Sequence, residues 1–179
     1  MTRERELLEK IEEWQSKARS EIDPFNKYVS MFIAYNIFYN LYAKKKSRNF
    51  NVDYTQGDSI RATDTIALVE ADRLFESLKT EVKGYLLVIP VFGEEYWPKP
   101  NAPNRIPISE ALRKNFEARN KFETIDLLIK WLYKVRCNLV HGEKSYRDEG
   151  QRNLLEMSTK LLEKILRHLV SCYKQTYEV

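Results

Sequence analysis

Tyr28-Val-Ser-Met-Phe-Ile-Ala-Tyr-Asn-Ile-Phe-Tyr-Asn-Leu-Tyr-Ala43 is the most apolar stretch of the chain, and its reading decides the fold. A membrane span needs about 20 apolar residues, and this run is shorter and interrupted by Ser30, Asn36 and Asn40. It is apolar on nearly every side, which suits a helix enclosed by other helices rather than one lying on a surface. Asp23-Pro24 stands just before it as a cap and a first-turn proline. The expectation is a central buried helix running to about Ala43, with no membrane association.

Working outward, Leu7, Ile11, Trp14 and Ala18 recur at helical spacing before it. Residues 44–61 carry charge, Asn, Gly57 and few apolar groups, and read as a polar loop. Ala67, Ala71, Leu74 and Leu78 form the stripe of a third helix. Tyr85 to Ile89 fits a helix tail or a short strand equally well. Five of the six prolines (90, 98, 100, 103 and 107) then punctuate a long loop, a type of segment that tends to be functional or mobile. Ser109 reads as the cap of a short helix ending at Glu117. Phe122, Ile125, Leu128, Leu132, Val135 and Leu139 make the face of a helix over residues 122–141. Asp148 with Gln151 opens the last and longest helix in a capping-box pattern, its stripe running through Leu154, Leu161, Leu162, Ile165, Leu169 and Tyr173. The fold class is all-α: a single domain over 1–179, an up-and-down bundle of four to five main helices with a long proline-rich loop.

Composition narrows the chemistry. The chain has 179 residues, 43% hydrophobic and 31% charged, enough for one domain with a real core. No two of its five glycines stand two apart, so no Gly-rich phosphate loop is present. Two distant cysteines and two histidines leave no metal-ligand spacing; neither metal nor cofactor is expected. The low cysteine content and the lack of an apolar N-terminal segment fit the cytoplasm. Net charge is +4, which suits either a solvated surface or a polyanionic partner, and Lys44-Lys45-Lys46-x-Arg48 is the one dense basic cluster. Imidazole chemistry is confined to His141 or His168, and His168 sits mid-helix in an unremarkable setting.

Arg136-Cys-Asn-Leu-Val-His141-Gly142 closes the penultimate helix. At 100° per residue, Arg136 falls roughly 60° from the middle of the apolar stripe, where an obligate cation is costly unless paired or put to use. Gly142 suits the residue after a helix end, which would set His141 at the negative end of the helix dipole and favour its protonated form. A cation and an imidazole at a helix end suit phosphodiester cleavage. The plainer account is an Arg paired with a core carboxylate and a His that merely caps a helix.

Trp131-Leu-Tyr-Lys-Val-Arg-Cys-Asn-Leu-Val-His-Gly142, followed by a polar turn and a long terminal helix, resembles the signature of HEPN domains (higher eukaryotes and prokaryotes nucleotide-binding). The form is similar to the Apea-like branch. Ala34-Tyr-Asn-Ile-Phe-Tyr39 resembles a second string that precedes the motif in such proteins. The resemblance implies a metal-independent endoribonuclease acting as a homodimer, of the kind found among toxins and phage-defence effectors. The ribose 2′-hydroxyl attacks the phosphate where Arg and His of both subunits meet. Arg136 and His141 would be catalytic, with Asn138 as the polar residue inside the motif, two places after Arg rather than directly after it. Glu143 stands where members paired with nucleotidyltransferase antitoxins carry a tyrosine. RNA and an antitoxin or other regulatory protein are the implied partners; a non-catalytic RNA- or protein-binding module of the same fold is the alternative. Asn36 is either a buried amide satisfied by a backbone carbonyl or a neighbour of Arg136 that orients it or the substrate. Lys144 and Arg147 follow in a turn that suits RNA backbone and solvent equally.

Overall fold

Local capping chemistry starts the first two helices. Thr2 Oγ1 accepts from the Arg5 amide at 3.4 Å and opens α1 (Arg3–Ser20), whose first turn holds Glu4 and Glu6 and whose last holds Lys17 and Arg19. Asp23 Oδ1 accepts from the Asn26 amide at 3.0 Å and opens α2 (Pro24–Phe50). The computed structural model describes residues 2–50, 57–87, 96–97, 106–140 and 149–178. Within these, α3 (Asp58–Asp64) leads into a 3₁₀ turn over Thr65–Leu68, followed by α4 (Ala71–Tyr85). β1 (Tyr96–Trp97) pairs antiparallel with β2 (Ile106–Pro107), and α5 (Ile108–Glu117), α6 (Lys121–Val140) and α7 (Glu149–Tyr177) complete the chain. The architecture is an all-α bundle. No helix of the described residues is long and apolar enough to cross a membrane.

α2 is the centre, packed on α1, α3 and α7, while α6 packs on α3, α4 and α5. Its aromatic residues reach their neighbours through polar tips. The Tyr28 hydroxyl donates to the Leu132 carbonyl on α6, and the Tyr35 hydroxyl donates to the Ala62 carbonyl on α3. Such side chains supply apolar area while the hydroxyl finds a buried partner. On α7 every residue of the expected stripe is buried.

Five local expectations need correction. α2 continues past Ala43 to Phe50, so Lys44, Lys45, Lys46 and Arg48 stand on a helix, not in a loop. Lys and Arg are good helix formers, and cations at a C-terminal end meet the negative pole of the dipole. Lys45 pairs with Glu4 at 3.2 Å and Lys46 with Asp64 at 2.7 Å, which ties that extension to α1 and α3. The expected third helix is broken, and Ala67 lies in the 3₁₀ turn, off the stripe of α4. Where the break begins, the Ala62 carbonyl accepts side-chain bonds from Tyr35 and from Thr65 Oγ1 at 2.9 Å, which compete with continued helix bonding. Pro107, not Ser109, caps α5, with the fixed φ of proline pre-set for that entry. Phe122 is half exposed and does not join the face of α6. The proline-rich stretch contains the two-residue ladder, while its remaining residues and the cap at Asp148 lie outside the described residues.

Glu4 joins three helices. Its carboxylate accepts from Tyr173 on α7 and from Lys45 on α2. Burial alone would raise its pKa, but the bonds from Tyr173 and Lys45 and the charges of Lys45 and Arg48 outweigh burial and hold it below the ordinary 4.5. A folded-state pKa below the unfolded one means that the unfolded chain binds more protons as pH falls, so this stabilisation is present above the unfolded value and lost below it. Glu4→Gln is expected to lower stability at pH 7 by less than about 1 kcal/mol, since water still reaches the pair. The gap to wild type closes as pH falls below 4.5 and through the lowered folded-state pKa, as thermal melts at several pH values would read.

Candidate functional site

Arg136 lies in the penultimate turn of α6, on a helix whose inner face is set by Leu128, Leu132, Val135 and Leu139. That face docks α6 on the bundle and leaves Arg136 on its shoulder, half-buried against α2. Arg136 and Asn36 line one cavity of about 210 Å³, whose other walls are Tyr28, Val29, Phe32, Ile33 and Leu139. The guanidinium carbon stands 5.9 Å from the centre of the Phe32 ring, and Nη1 is 3.9 Å from Cys137 Sγ. Among the described residues Arg136 has no carboxylate partner.

Among the described residues, the Asp58 carboxylate near this cavity is engaged elsewhere. Asp58 Oδ1 accepts from Tyr39 at 2.9 Å and from Arg61 at 3.0 Å, and Oδ2 accepts from Tyr133 at 3.3 Å. Burial, aided by the bond to Asp58, pushes the Tyr39 hydroxyl far up; burial, with Cys137 and Asp58, pushes Tyr133 up to about 12. Both phenols are therefore neutral at physiological pH. For Arg136, burial opposes the charged form, and Cys137, Tyr133 and Tyr39 outweigh it, so its pKa rises. The two tyrosines supply that support only when ionised, so at neutral pH they offer the guanidinium no counter-charge.

Asn36 is half-buried, and its amide is satisfied by side chains instead of the backbone carbonyl expected in the plainer account. Its Oδ1 accepts from Asn40 Nδ2 at 3.0 Å, and its Nδ2 donates to the Tyr39 hydroxyl. A chain of bonds thus runs from Asn40 through Asn36 and Tyr39 to Asp58, and it fixes the Asn36 side chain at the cavity wall. Asn138 is buried, with 7% of its surface exposed, and does not line this cavity. Two residues correspond to about 200° of helix, which turns it away from Arg136. His141, Lys144 and Arg147 lie outside the described residues, which resume at Glu149.

His168 is the other histidine. Its Nε2 is 3.5 Å from Cys172 Sγ one turn along α7. Burial lowers its pKa, with Glu70 opposing and Arg73 adding to that shift, so it stays neutral at physiological pH. Burial likewise raises the Cys172 thiol, which makes it a poor nucleophile. Among the described residues no group of three or more His, Cys, Asp or Glu side chains is placed to hold a metal ion.

Sequence reasoning passed over Asp58, Tyr39 and Tyr133. Asp58 lay in a stretch read as loop, and the tyrosines sat at helical spacing that marks core. The Asn36, Tyr39, Asn40 pattern on one side of an otherwise apolar helix was the available signal. Chemically, the cavity offers a planar cation with five N–H donors, partly withdrawn from water beside an oriented amide, a setting suited to an anionic oxygen. No protein-family model, curated protein or solved structure matches the chain.

Proposed function

We propose that the chain is a HEPN-type, metal-independent endoribonuclease, built as an up-and-down helical bundle and acting as a homodimer in the cytoplasm. The observation that carries this reading is Arg136 without a carboxylate partner among the described residues, sharing a cavity with Asn36. These two residues belong to the two sequence strings on which the resemblance rests, and α2 packed beside α6 is what makes them neighbours. A half-buried cation with no carboxylate partner among the described residues is suited to an external anion.

In this reading Arg136 holds a non-bridging oxygen of the scissile phosphate and stabilises the charge that grows on the pentacoordinate transition state. His141, five residues on, takes the proton of the attacking 2′-hydroxyl or delivers one to the 5′-oxygen that leaves. The products are a cyclic phosphate and a 5′-hydroxyl. On one continuous helix the two side chains diverge by about 140°, so a second copy across a twofold axis completes the set. Asn36 orients the Arg136 end of the site. Asn138 serves the packing of the motif helix, and Lys144 and Arg147 hold flanking phosphates. A partner protein of antitoxin or regulatory type would control such an activity.

The test is incubation of the purified chain with mixed RNA in excess EDTA, beside His141→Ala. Cleavage in chelator that is lost in the variant, with cyclic-phosphate ends, is the expected result. Wild-type protein that leaves every RNA intact overturns the nuclease reading, and RNA retained without cleavage would favour a non-catalytic binding module.

A further inference from the structure

The basic cluster at the end of α2 is not used by the cavity at Arg136, and it faces a second concavity. A groove of about 360 Å³ lies between the first turns of α1 and the last turns of α2, with Arg61 of α3 at its side. Arg3, Lys44, Lys45, Arg48 and Arg61 line it, against one carboxylate, Glu4. Five of the 30 basic residues and one of the 26 acidic ones are thus spent here, which leaves 25 of each for the rest of the chain. The groove lining thus carries an excess of four positive charges, equal to the formal net charge of the whole chain.

The cations divide into two sets. Lys45 is bound to Glu4 and Arg61 to Asp58, so these two are structural. Glu4 is in turn neutralised by Lys45 and bonded to Tyr173, which removes most of its repulsion toward an anion. Arg3, Lys44 and Arg48 are exposed and have no carboxylate partner among the described residues. Helix-end electrostatics explains the placement of Arg48, in the last turn of α2, but not that of Lys44 or of Arg3, which stands at the positive end of α1 against the dipole. A cation placed unfavourably for its own helix, facing two more across a groove, is accounted for by a shared anion.

The groove also has a direction. Asn40 lines it and donates to Asn36, which lines the Arg136 cavity. Asn36, Asn40 and Lys44 follow one another at intervals of about one turn, so Lys44 stands about 12 Å and Arg48 about 18 Å along α2 from Asn36. At about 3.4 Å per stacked nucleotide that distance is four to five nucleotides.

We infer that the groove between α1 and the end of α2 binds the phosphodiester backbone of single-stranded RNA, with Arg3, Lys44 and Arg48 as phosphate ligands. It rests on the reading above for the choice of RNA and extends it to a second point of contact on the same strand. The experiment is fluorescence anisotropy with a labelled 20-nucleotide single-stranded RNA over a range of salt. It compares wild type, the triple variant Arg3→Gln/Lys44→Gln/Arg48→Gln, and a control triple, Lys83→Gln/Lys114→Gln/Lys160→Gln. Both triples remove three exposed charges, and glutamine is tolerated in helices. The groove variant is expected to bind at least about tenfold more weakly near 0.1 M salt, with the slope of log affinity against log salt reduced by about 2, as loss of three phosphate contacts to a single strand requires. The control stays within about twofold of wild type, while net-charge attraction alone would weaken both triples equally and overturn the site. Wild type that binds duplex DNA but not the RNA overturns it too. Cleavage by wild type with unchanged binding by the groove variant removes the groove and keeps the nuclease; groove-dependent binding without cleavage does the reverse.

Discussion

Arg136→Ala is expected to slow RNA cleavage in EDTA by at least about 100-fold, the loss typical when one preorganised donor to a developing oxyanion is removed. Arg136→Lys should recover little of this, at most about tenfold, because an ammonium is a point charge and cannot grip two phosphate oxygens as a planar fork does. Folding stability should move far less than activity. The guanidinium has no carboxylate partner among the described residues, and its contacts are the Phe32 face at 5.9 Å and the Cys137 sulfur at 3.9 Å. Contacts of that kind are worth about 0.5–1 kcal/mol where water still reaches the charge. Arg136→Met keeps the side-chain volume, removes the desolvated charge, and should hold or raise the melting temperature while activity is lost. That opposition separates a functional arginine from a structural one, because a structural cation costs stability when it is taken away. Cleavage rates within about threefold of wild type for Arg136→Ala, or a fall in stability of more than about 2 kcal/mol for Arg136→Met, would set the residue among the bundle's fixings instead.

How much of this was legible in the chain depends on the range of the forces involved. The faces of α6 and α7 follow from apolar spacing, which is local, and all six stripe residues of α7 are buried. The extension of α2 through Lys44–Phe50 was not legible, because no apolar period marks it. What holds it are bonds from Lys45 to Glu4, 41 residues away, and from Lys46 to Asp64, 18 away. The break between α3 and α4 was hidden for the same reason. The Ala62 carbonyl is claimed by the hydroxyl of Tyr35, a residue on another helix, and no propensity scale registers that. In the site, Arg136 was visible as a cation off its stripe, and Asn36 as an amide on an apolar helix. Their shared cavity was not, since it depends on how α2 lies against α6. Asp58 was invisible as a functional neighbour because its three donors come from α2, α3 and α6.

The bundle itself stands or falls on the packing of α2, and Phe38 is the residue that reports on it. It is fully buried, and its ring meets Tyr173 of α7 edge-on at 5.9 Å between centres, with planes 78° apart. Truncation to alanine removes that aromatic contact and leaves a cavity which two helices held by other side chains cannot close. The expected cost of Phe38→Ala is about 3–5 kcal/mol, a large part of the 5–15 kcal/mol by which domains are ordinarily stable. For a chain of this size that corresponds to a fall in melting temperature on the order of 10 °C. Phe38→Leu fills most of the space and should cost about 1.5 kcal/mol or less. Urea titrations check both, with the midpoint falling and the slope unchanged if only stability has moved. A loss below about 1 kcal/mol for Phe38→Ala would mean that this face of α2 is not a packed seam. The consequence reaches the site, because α2 carries Asn36 at one cavity and Lys44 and Arg48 at the other. At a temperature where Phe38→Ala remains folded, its RNA binding should therefore weaken along with its stability, since Asn36, Lys44 and Arg48 all stand on the same loosened helix. Arg136→Ala, by contrast, is expected to abolish cleavage and leave α2 in place.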